Sequence, residues 1–160
     1  MPRILVALGS NLAGPSRVIP LAWQAVCARL GLSAARCSRV LLSDPAEGAS
    51  GAAFCNAVGL GETDLGPHEA LAELRRIERA FGRDRRHEGH HGARPLDLDL
   101  LDLGGVRLDD ADLQLPHPRM AQRDFVLVPI LEIAPEFIDV RSGLGVAALL
   151  AALRSHWITP

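Results

Sequence analysis

Two aspartates at alternate positions of one apolar stretch are the residues of this sequence best suited to chemistry. The stretch reads Leu96-Asp97-Leu98-Asp99-Leu100, and alternate side chains of a β-strand lie on the same face. The leucines then point into the core, and Asp97 and Asp99 lie together on the other face, about 7 Å apart along the strand. Such carboxylates repel each other unless a cation lies between them, and Mg²⁺ binds carboxylate, phosphate and water oxygens. A strand with a solvated polar face is the alternative, although aspartate is depleted in strands.

An arginine-rich segment directly precedes the aspartate pair. Residues 82–94 are rich in glycine, lack apolar periodicity and contain four arginines: Arg83, Arg85, Arg86 and Arg94. Guanidinium groups match phosphate oxygens bidentately, so the segment predicts a loop that closes over a phosphorylated ligand. Together with the carboxylates, it indicates a site for a magnesium nucleoside triphosphate. The alternatives are a solvated run of charge and a zinc site on His87, His90 and His91.

Two further groups could recognise a ligand. Phe54 and Asn56 share one face of a predicted strand, where a ring and an amide can stack a flat heterocycle and bind its edge. A core phenylalanine beside a surface asparagine is the alternative. His117 stands between two prolines, which hold the backbone extended, as in a ligand-binding turn or an ordinary loop.

Two other carboxylates lie near these groups. Asp102 is out of phase with Asp97 and Asp99 unless a bulge intervenes, so the pattern predicts a solvated residue at the strand end. Glu78 lies at the margin of the apolar stripe of a predicted helix. Its position fits a paired surface group and a site residue equally well.

The elements that position these residues follow from apolar runs and turn signals. We predict strands over 3–8, 33–42, 53–60, 95–103 and 106–108, and helices over 15–30, 67–81, 122–132 and 145–155. The second and third strands should form a hairpin, and Gly104-Gly105 should turn the fourth strand back into the fifth. The order predicts an α+β fold: a ferredoxin-like α/β sandwich, whose antiparallel sheet has a β-α-β-β-α-β core, plus C-terminal helices.

Composition excludes several classes of protein. The chain has 160 residues, of which 48% are hydrophobic and 22% charged, so it is not disordered and fits a single domain over 1–160. No apolar run approaches the roughly 20 residues that span a bilayer. The net charge of -2 is not that of a general nucleic-acid binder. All 17 basic residues are arginine, which excludes a P-loop, a protein-kinase lysine and Schiff-base chemistry.

The N-terminal segment and the cysteines predict where the protein is located. The apolar segment before Gly9 is too short for a secretory signal. The three cysteines are an odd number without a CxxC pair, so they read as reduced thiols. We expect a cytoplasmic protein with no membrane partner.

Taken together, these residues resemble one family, 6-hydroxymethyl-7,8-dihydropterin pyrophosphokinase of folate biosynthesis. The resemblance is carried by short motifs in a fixed order along nearly the whole chain: Leu8-Gly9-Ser10-Asn11-Leu12, Phe54-x-Asn56-Ala57, Ile77-Glu78, Gly82-Arg83-x-Arg85, Ala93-Arg94-Pro95-Leu96-Asp97-Leu98-Asp99, Leu115-Pro116-His117-Pro118-Arg119-Met120 and Arg123-x-Phe125. It implies a ferredoxin-like fold and transfer of the β,γ-pyrophosphoryl group of ATP to the pterin hydroxymethyl oxygen, with AMP as the second product.

The resemblance also implies residue roles. Asp97 and Asp99 would hold two Mg²⁺ ions on the triphosphate, and Arg83 and Arg94 would neutralise the transferred phosphoryl groups. The residues implied to bind ATP are Glu78, Arg85, Arg94, Leu100, His117 and Arg123. Those implied to bind the pterin are Pro45, Phe54, Asn56 and Phe125. The partners are then two small molecules, and we expect a monomer that binds neither nucleic acid nor a membrane.

Other functions remain compatible with the residues. A non-catalytic ferredoxin-like module, or a degenerate relative, would bind a ligand without needing the aspartate pair. Another magnesium-dependent phosphotransferase or phosphodiester hydrolase would need the pair but not Phe54, Asn56 and Phe125.

Overall fold

The computed structural model describes residues 1–11, 15–43, 54–82 and 95–158. Its strands are β1 (Arg3–Ser10), β2 (Ser33–Cys37), β3 (Leu41–Ser43), β4 (Phe54–Glu62), β5 (Asp97–Leu103), β6 (Leu108–Asp109) and β7 (Gln114–Leu115). Its helices are α1 (Pro15–Leu30), α2 (Pro67–Ala80), α3 (Asp124–Ile133) and α4 (Val146–Ile158), with a 3-10 turn at Met120–Gln122 before α3.

The main sheet has the order β2-β4-β1-β5, and β3 also pairs with β4. All of these pairings are antiparallel. The strand predicted over 33–42 is therefore an edge strand in two segments, β2 and β3. Ser38 lies between them and keeps the edge attached, because its N–H donates to Val58 O at 2.9 Å and its Oγ accepts from Val58 N–H at 3.0 Å. The predicted hairpin and the β-α-β-β-α-β order are confirmed.

Helices cover both faces of the sheet. On one face, α1 and α2 pack over Ile4, Val6 and Leu8 of β1. On the other, α3 and α4 pack over Leu5 of β1 and over part of β4. Because β1 is buried on both sides, its apolar residues are continuous instead of alternating with polar ones. The C-terminal helices therefore complete a second core layer.

The predicted strand over 106–108 is wrong. Gly104 and Gly105 do turn the chain at the end of β5, with φ of 61° and 68°, but the chain then leaves the sheet. β6 pairs instead with β7. Asp110 closes this small hairpin, because its Oδ1 accepts from Asp112 N–H at 3.0 Å and from Leu113 N–H at 2.8 Å. The turn stabilised by the Asp110 side chain therefore forms in place of a strand paired with β5.

Two features of the helices complete the description. Pro129 is the sixth residue of α3, so it lies inside the helix. Within the described ranges, none of the helices has the length and apolarity that a membrane crossing requires.

Candidate active site

The aspartate pair lies where the sequence places it, on the polar face of β5. Leu98 and Leu100 are 3% and 2% exposed in the core, whereas Asp97 and Asp99 are only partly buried. Directly paired residues share a sheet face. Asp97 pairs with Gly9, which pairs with Asn56, and Asp99 pairs with Ala7. The two carboxylates and the Asn56 amide therefore lie on one face, separated only by small residues.

The small residues form the floor of a narrow cleft. A Cβ placed on Gly9 would lie 3.2 Å from Asn56 Oδ1 and 3.9 Å from the Cβ of Asp97. The cleft has a volume of about 30 Å³, and its lining comes from β1, β4, β5 and the start of α3: Ala7, Leu8, Gly9, Asn56, Ala57, Asp97, Asp99, Arg123, Phe125 and Val126. The glycine leaves room between the amide and the carboxylate.

The start of α3 places a cation and an aromatic ring over this floor. Arg123 Nη1 lies 3.6 Å from Asp99 Oδ2. The Arg123 guanidinium carbon is 5.8 Å from the centroid of the Phe125 ring, within cation–π range. Arg123 is thus held between the carboxylate and the ring.

A second, larger cavity lies on the other side of Asp99, along the outer edge of β5. Its volume is about 370 Å³, and its lining is Leu71, Arg75, Leu98, Asp99, Leu100, residues 110–114, His117 and Pro118. Asp99 lines both cavities, so the aspartate pair stands at their junction. A molecule in each cavity would meet at these carboxylates.

His117 presents one hydrogen-bond donor to the larger cavity. Its backbone N–H donates to Leu101 O at 2.8 Å, and its ring Nδ1 accepts from Arg119 N–H at 3.2 Å. An acceptor at Nδ1 assigns the ring proton to Nε2. Burial, then the charges of Arg123 and Arg119, lower the pKa of His117 to about 4. The ring is therefore neutral near pH 7.

Glu78 lies behind the aspartate pair. Its side chain is 2% exposed, and its Oε2 accepts from Leu98 N–H at 2.9 Å. Leu98 is the residue between Asp97 and Asp99, so this bond fixes the backbone that carries both carboxylates. The described linings of the two cavities do not include Glu78.

A hydrogen bond from β1 also fixes the residues at the start of β5. Ser10 is 1% exposed, and its Oγ donates to Pro95 O at 2.8 Å. This bond ties the end of β1 to the residues just before Asp97. The aspartates thus stand on a strand fixed from two neighbouring elements.

Asp102 is not the solvated strand-end residue that the pattern predicts. The register between β1 and β5 shifts so that Leu5 pairs with Asp102 and Val6 with Leu100. The extra residue is a bulge, and it places Asp102 on the same face as Asp97 and Asp99. The second helix layer covers this end of the face, so Asp102 is only 5% exposed.

The other residues predicted from the sequence divide into two groups. Phe54 is the first residue of β4, half-buried and paired with Ser43 of β3, two positions before Asn56. The others lie outside the described residues: Pro45, Arg83, Arg85 and Arg94, with the rest of the arginine-rich segment and its three histidines.

Sequence reasoning did not single out several residues that line the larger cavity. Arg75 is on α2, and Asp110, Asp112 and Gln114 belong to the β6–β7 hairpin. His68 Nε2 lies 2.7 Å from Asp110 Oδ2, which joins α2 to this hairpin. The only local signal was the closely spaced aspartates after Leu108, which are typical of a turn.

The carboxylates on β5 are the candidate ligands for a metal ion. No group of three or more His, Cys, Asp or Glu side chains that could hold a metal occurs in the described part of the chain. Asp97 and Asp99 supply two carboxylates on one face. That set fits Mg²⁺ in a site where phosphate and water oxygens complete the octahedron.

The cysteines are free thiols, as predicted. Cys27, Cys37 and Cys55 form no disulfide. Burial, with the nearby Cys27 thiol and Glu132 carboxylate, raises the pKa of Cys37 to about 11. Burial also raises the pKa of Cys27 and Cys55, so all three thiols are protonated near neutral pH.

Comparison with known proteins identifies a matching family model and several similar proteins. The family model described as 7,8-dihydro-6-hydroxymethylpterin-pyrophosphokinase (HPPK) matches residues 5–135. A 2-amino-4-hydroxy-6-hydroxymethyldihydropteridine pyrophosphokinase of Synechocystis sp. is 48% identical over 86 residues, covering 54% of this chain and 43% of that protein. The protein of the same name from Pseudomonas aeruginosa is 38% identical over 150 residues, covering 94% and 91%.

A solved structure supports the fold. The chain of Plasmodium falciparum HPPK-DHPS wild type with SDX-DHP superposes with a TM-score of 0.72 at 11% identity, covering 98% of this chain and 44% of that one. The chain thus spans less than half of the length of that protein and of the Synechocystis relative. The predicted ferredoxin-like α+β fold is confirmed.

Proposed function

This chain belongs to the 7,8-dihydro-6-hydroxymethylpterin-pyrophosphokinase family, and from that premise we propose its reaction. It transfers the pyrophosphoryl group of MgATP to 6-hydroxymethyl-7,8-dihydropterin, a step of folate biosynthesis. The products are the pterin diphosphate and AMP. The observation that carries this proposal is the position of Asp97 and Asp99 where a large polar cavity and a narrow cleft meet.

The larger cavity is assigned to ATP. Leu71, Leu100 and Leu113 give it an apolar wall suited to a flat base, and Arg75 brings a cation. The Nε2–H of the neutral His117 donates a hydrogen bond without adding charge. Arg123, which reaches Asp99 from α3, faces the position where the triphosphate passes between the cavities.

The pterin is assigned to the face above the narrow cleft, because the cleft itself, at about 30 Å³, takes in only the edge of a ring. The Phe125 ring provides a stacking surface, and Asn56 provides an amide acceptor and donor beside the open floor at Gly9. Phe54, two residues from Asn56, is assigned to the opposite face of the ring. This orientation directs the hydroxymethyl group toward the aspartate pair.

Two Mg²⁺ ions are assigned to Asp97 and Asp99. When bound, they supply charge neutralisation and hold the phosphate oxygens. The support is the pair of same-face carboxylates at the junction of the cavities. Glu78 acts through Leu98 as a positioning residue, since its bond fixes the strand between the two carboxylates.

The reaction forms a bond from the pterin hydroxymethyl oxygen to the β-phosphorus and breaks the bond from that phosphorus to the oxygen that leaves with AMP. The hydroxyl proton passes to solvent or to a nearby aspartate. Phosphoryl transfer of this kind needs positioning and charge neutralisation more than a protein nucleophile. The chain supplies positioning through Phe125, Asn56 and His117, and a cation through Arg123. Arg83, Arg85 and Arg94 are assigned to the phosphates by their motif positions alone.

The proposal also covers the domain organisation, oligomeric state, location and partners of the protein. We extend the proposal to a single domain over residues 1–160 that acts as a monomer. The free thiols are typical of a reducing compartment, which supports a cytoplasmic location. The partners are the two small substrates, without nucleic acid or a membrane.

The test is AMP formation from ATP and Mg²⁺, with and without 6-hydroxymethyl-7,8-dihydropterin. Pterin-dependent AMP in equal amount to the pterin diphosphate is the expected result. ADP as the product would identify another phosphotransferase. If a folded protein binds ATP but forms no nucleotide product, the chain is a binding module or a degenerate relative.

A further inference from the structure

A third cavity lies at the opposite end of the sheet and has no part in the proposed reaction. Its volume is about 370 Å³, and its lining is Arg3, Leu5, Leu60, Asp102, Gly104, Gly105, Ala134, Glu136, Phe137 and Ile138. It opens on the same sheet face as the aspartate pair, two strand rows further along. Ala134 follows the C-terminal end of α3, whereas Phe125 is the second residue of that helix, so about 13 Å of helix separates this cavity from the pterin cleft.

Asp102 is the buried hydrogen-bond acceptor of this cavity. It is 5% exposed, and its Oδ2 accepts from Gly105 N–H at 3.3 Å. Its Oδ1 is buried and has no hydrogen-bond partner among the described residues. Buried carboxylate oxygens in native proteins are normally paired, because an unpaired one costs free energy. The cavity thus holds an acceptor that lacks a donor.

The charges around Asp102 do not supply that donor. Arg3 Nη2 is paired with Glu136 Oε1 at 2.7 Å at the rim of the cavity. The nearby Asp139 is a second carboxylate, whose oxygens accept from Arg141 N–H and from Ser142 Oγ. Burial, together with the charge of Asp139, raises the pKa of Asp102. Arg36 and Arg141 lie near Glu136 and Asp139 and offset their charges. What Asp102 lacks is an N–H donor at Oδ1, which a cation of suitable shape would supply.

The remaining walls are apolar. Leu5 and Leu60 are 2% and 4% exposed on the sheet, and Phe137 packs against the same core cluster. Ile138 is 56% exposed at the mouth. A flat apolar body would lie over these side chains, with its polar end at Asp102.

We propose that this cavity binds a small organic cation with a planar amidinium-type head and a flat apolar body. Two N–H groups of the head meet Asp102, one of them at the unpaired Oδ1, and the body lies against Leu5, Leu60 and Phe137. The proposal does not depend on the proposed reaction, since it uses none of the residues assigned to ATP or the pterin.

The test is a titration of the whole chain with benzamidine, followed by the amide signals in NMR spectra. We expect saturable shifts at Gly104, Gly105 and Ile138, with a millimolar or tighter dissociation constant. Asp102→Asn should weaken binding by at least about tenfold, because a charge-assisted hydrogen bond is lost. Asp97→Asn, which alters the other carboxylate site, should leave these shifts unchanged.

A second variant and a neutral probe complete the test. Ile138→Arg changes an exposed residue at the mouth, so the fold should persist, and the added cation should repel benzamidine to a similar extent. Benzyl alcohol has the same ring without the charge and should bind at least about tenfold more weakly. The proposal is overturned if no saturable shifts occur, if they occur only around Gly9 and Asp97, or if Asp102→Asn binds equally well.

Discussion

At the candidate site, the role of each side chain depends on the residues that it contacts. Asp99 is both a wall of two cavities and the partner of Arg123 at 3.6 Å. Phe125 stacks below that guanidinium, and Glu78 holds the backbone between the aspartates. A change at one residue should therefore be separated into its effects on chemistry, on substrate binding and on stability.

Asp97→Asn should lower kcat by at least about a hundredfold while the fold is retained. The amide removes a negative charge that the proposed Mg²⁺ ions need, and the side chain is only partly buried. Steady-state AMP formation measures the effect, and circular dichroism checks the fold. Asp64→Asn, at an exposed position outside the described cavities, is the matched control and should keep full activity. A fully active Asp97→Asn enzyme would remove the metal role from this residue.

Phe125→Ala should raise the KM for the pterin by about tenfold or more, with a smaller change in the KM for ATP. The reason is the loss of a stacking face, which contributes about 1 kcal/mol or more. Phe125→Leu keeps apolar area without a ring and should lie between the two. Initial rates with each substrate varied in turn give the comparison. An equal effect on both KM values would argue against a pterin-stacking role.

Among the elements, α3 and the sheet decide where the site forms. The helix brings Arg123 and Phe125 over the small residues of β1, and its other end borders the third cavity. Glu132 of α3 also anchors the edge of the sheet, because it accepts from Arg39 Nε at 3.1 Å. These contacts tie α3 to the sheet at both ends of the helix.

Gly59→Ala should destabilise the protein by about 1–3 kcal/mol, as overpacking of a core does. A Cβ on Gly59, in the middle of β4, would overlap the ring of Trp23 on α1. Urea unfolding gives the free energy of unfolding for both proteins. Gly145→Ala is the control, since the nearest atom to its Cβ would be Phe137 O at 3.8 Å. If both variants lose equal stability, contact with Trp23 is not the cause.

At the scale of the whole molecule, one partly buried histidine makes the free energy of unfolding depend on pH. The ordinary pKa of His117 is 6.5, and in the fold it falls to about 4. Between these pH values the unfolded chain binds more protons than the folded one, so the free energy of unfolding falls as the pH is lowered. The loss contributed by His117 is at most about 3 kcal/mol.

His117→Gln should therefore flatten the decrease in stability between pH 6.5 and pH 4. Urea unfolding at several pH values measures this slope. A His117→Gln protein with the slope of the parent would place the acid sensitivity on other groups.

Much of this protein was determined by the sequence alone. The alternation in residues 96–100 predicted the faces of β5, and the order of apolar runs predicted the antiparallel sheet, the helices on one of its faces and additional C-terminal helices. That the C-terminal helices cover the other face was not predicted. These succeeded because a periodic pattern reports the local geometry of a helix or a strand. The short motifs around the aspartates likewise indicated the family, since their order and spacing are properties of the chain.

Only the tertiary structure decided how separate segments meet. A bulge opposite Leu5 brought Asp102 into a buried cavity, and α3 brought Arg123 to Asp99 across the face of the sheet. The β6–β7 hairpin became a wall of the larger cavity instead of a return strand. These outcomes depend on packing between residues far apart in the chain, and local periodicity carries no information about such contacts.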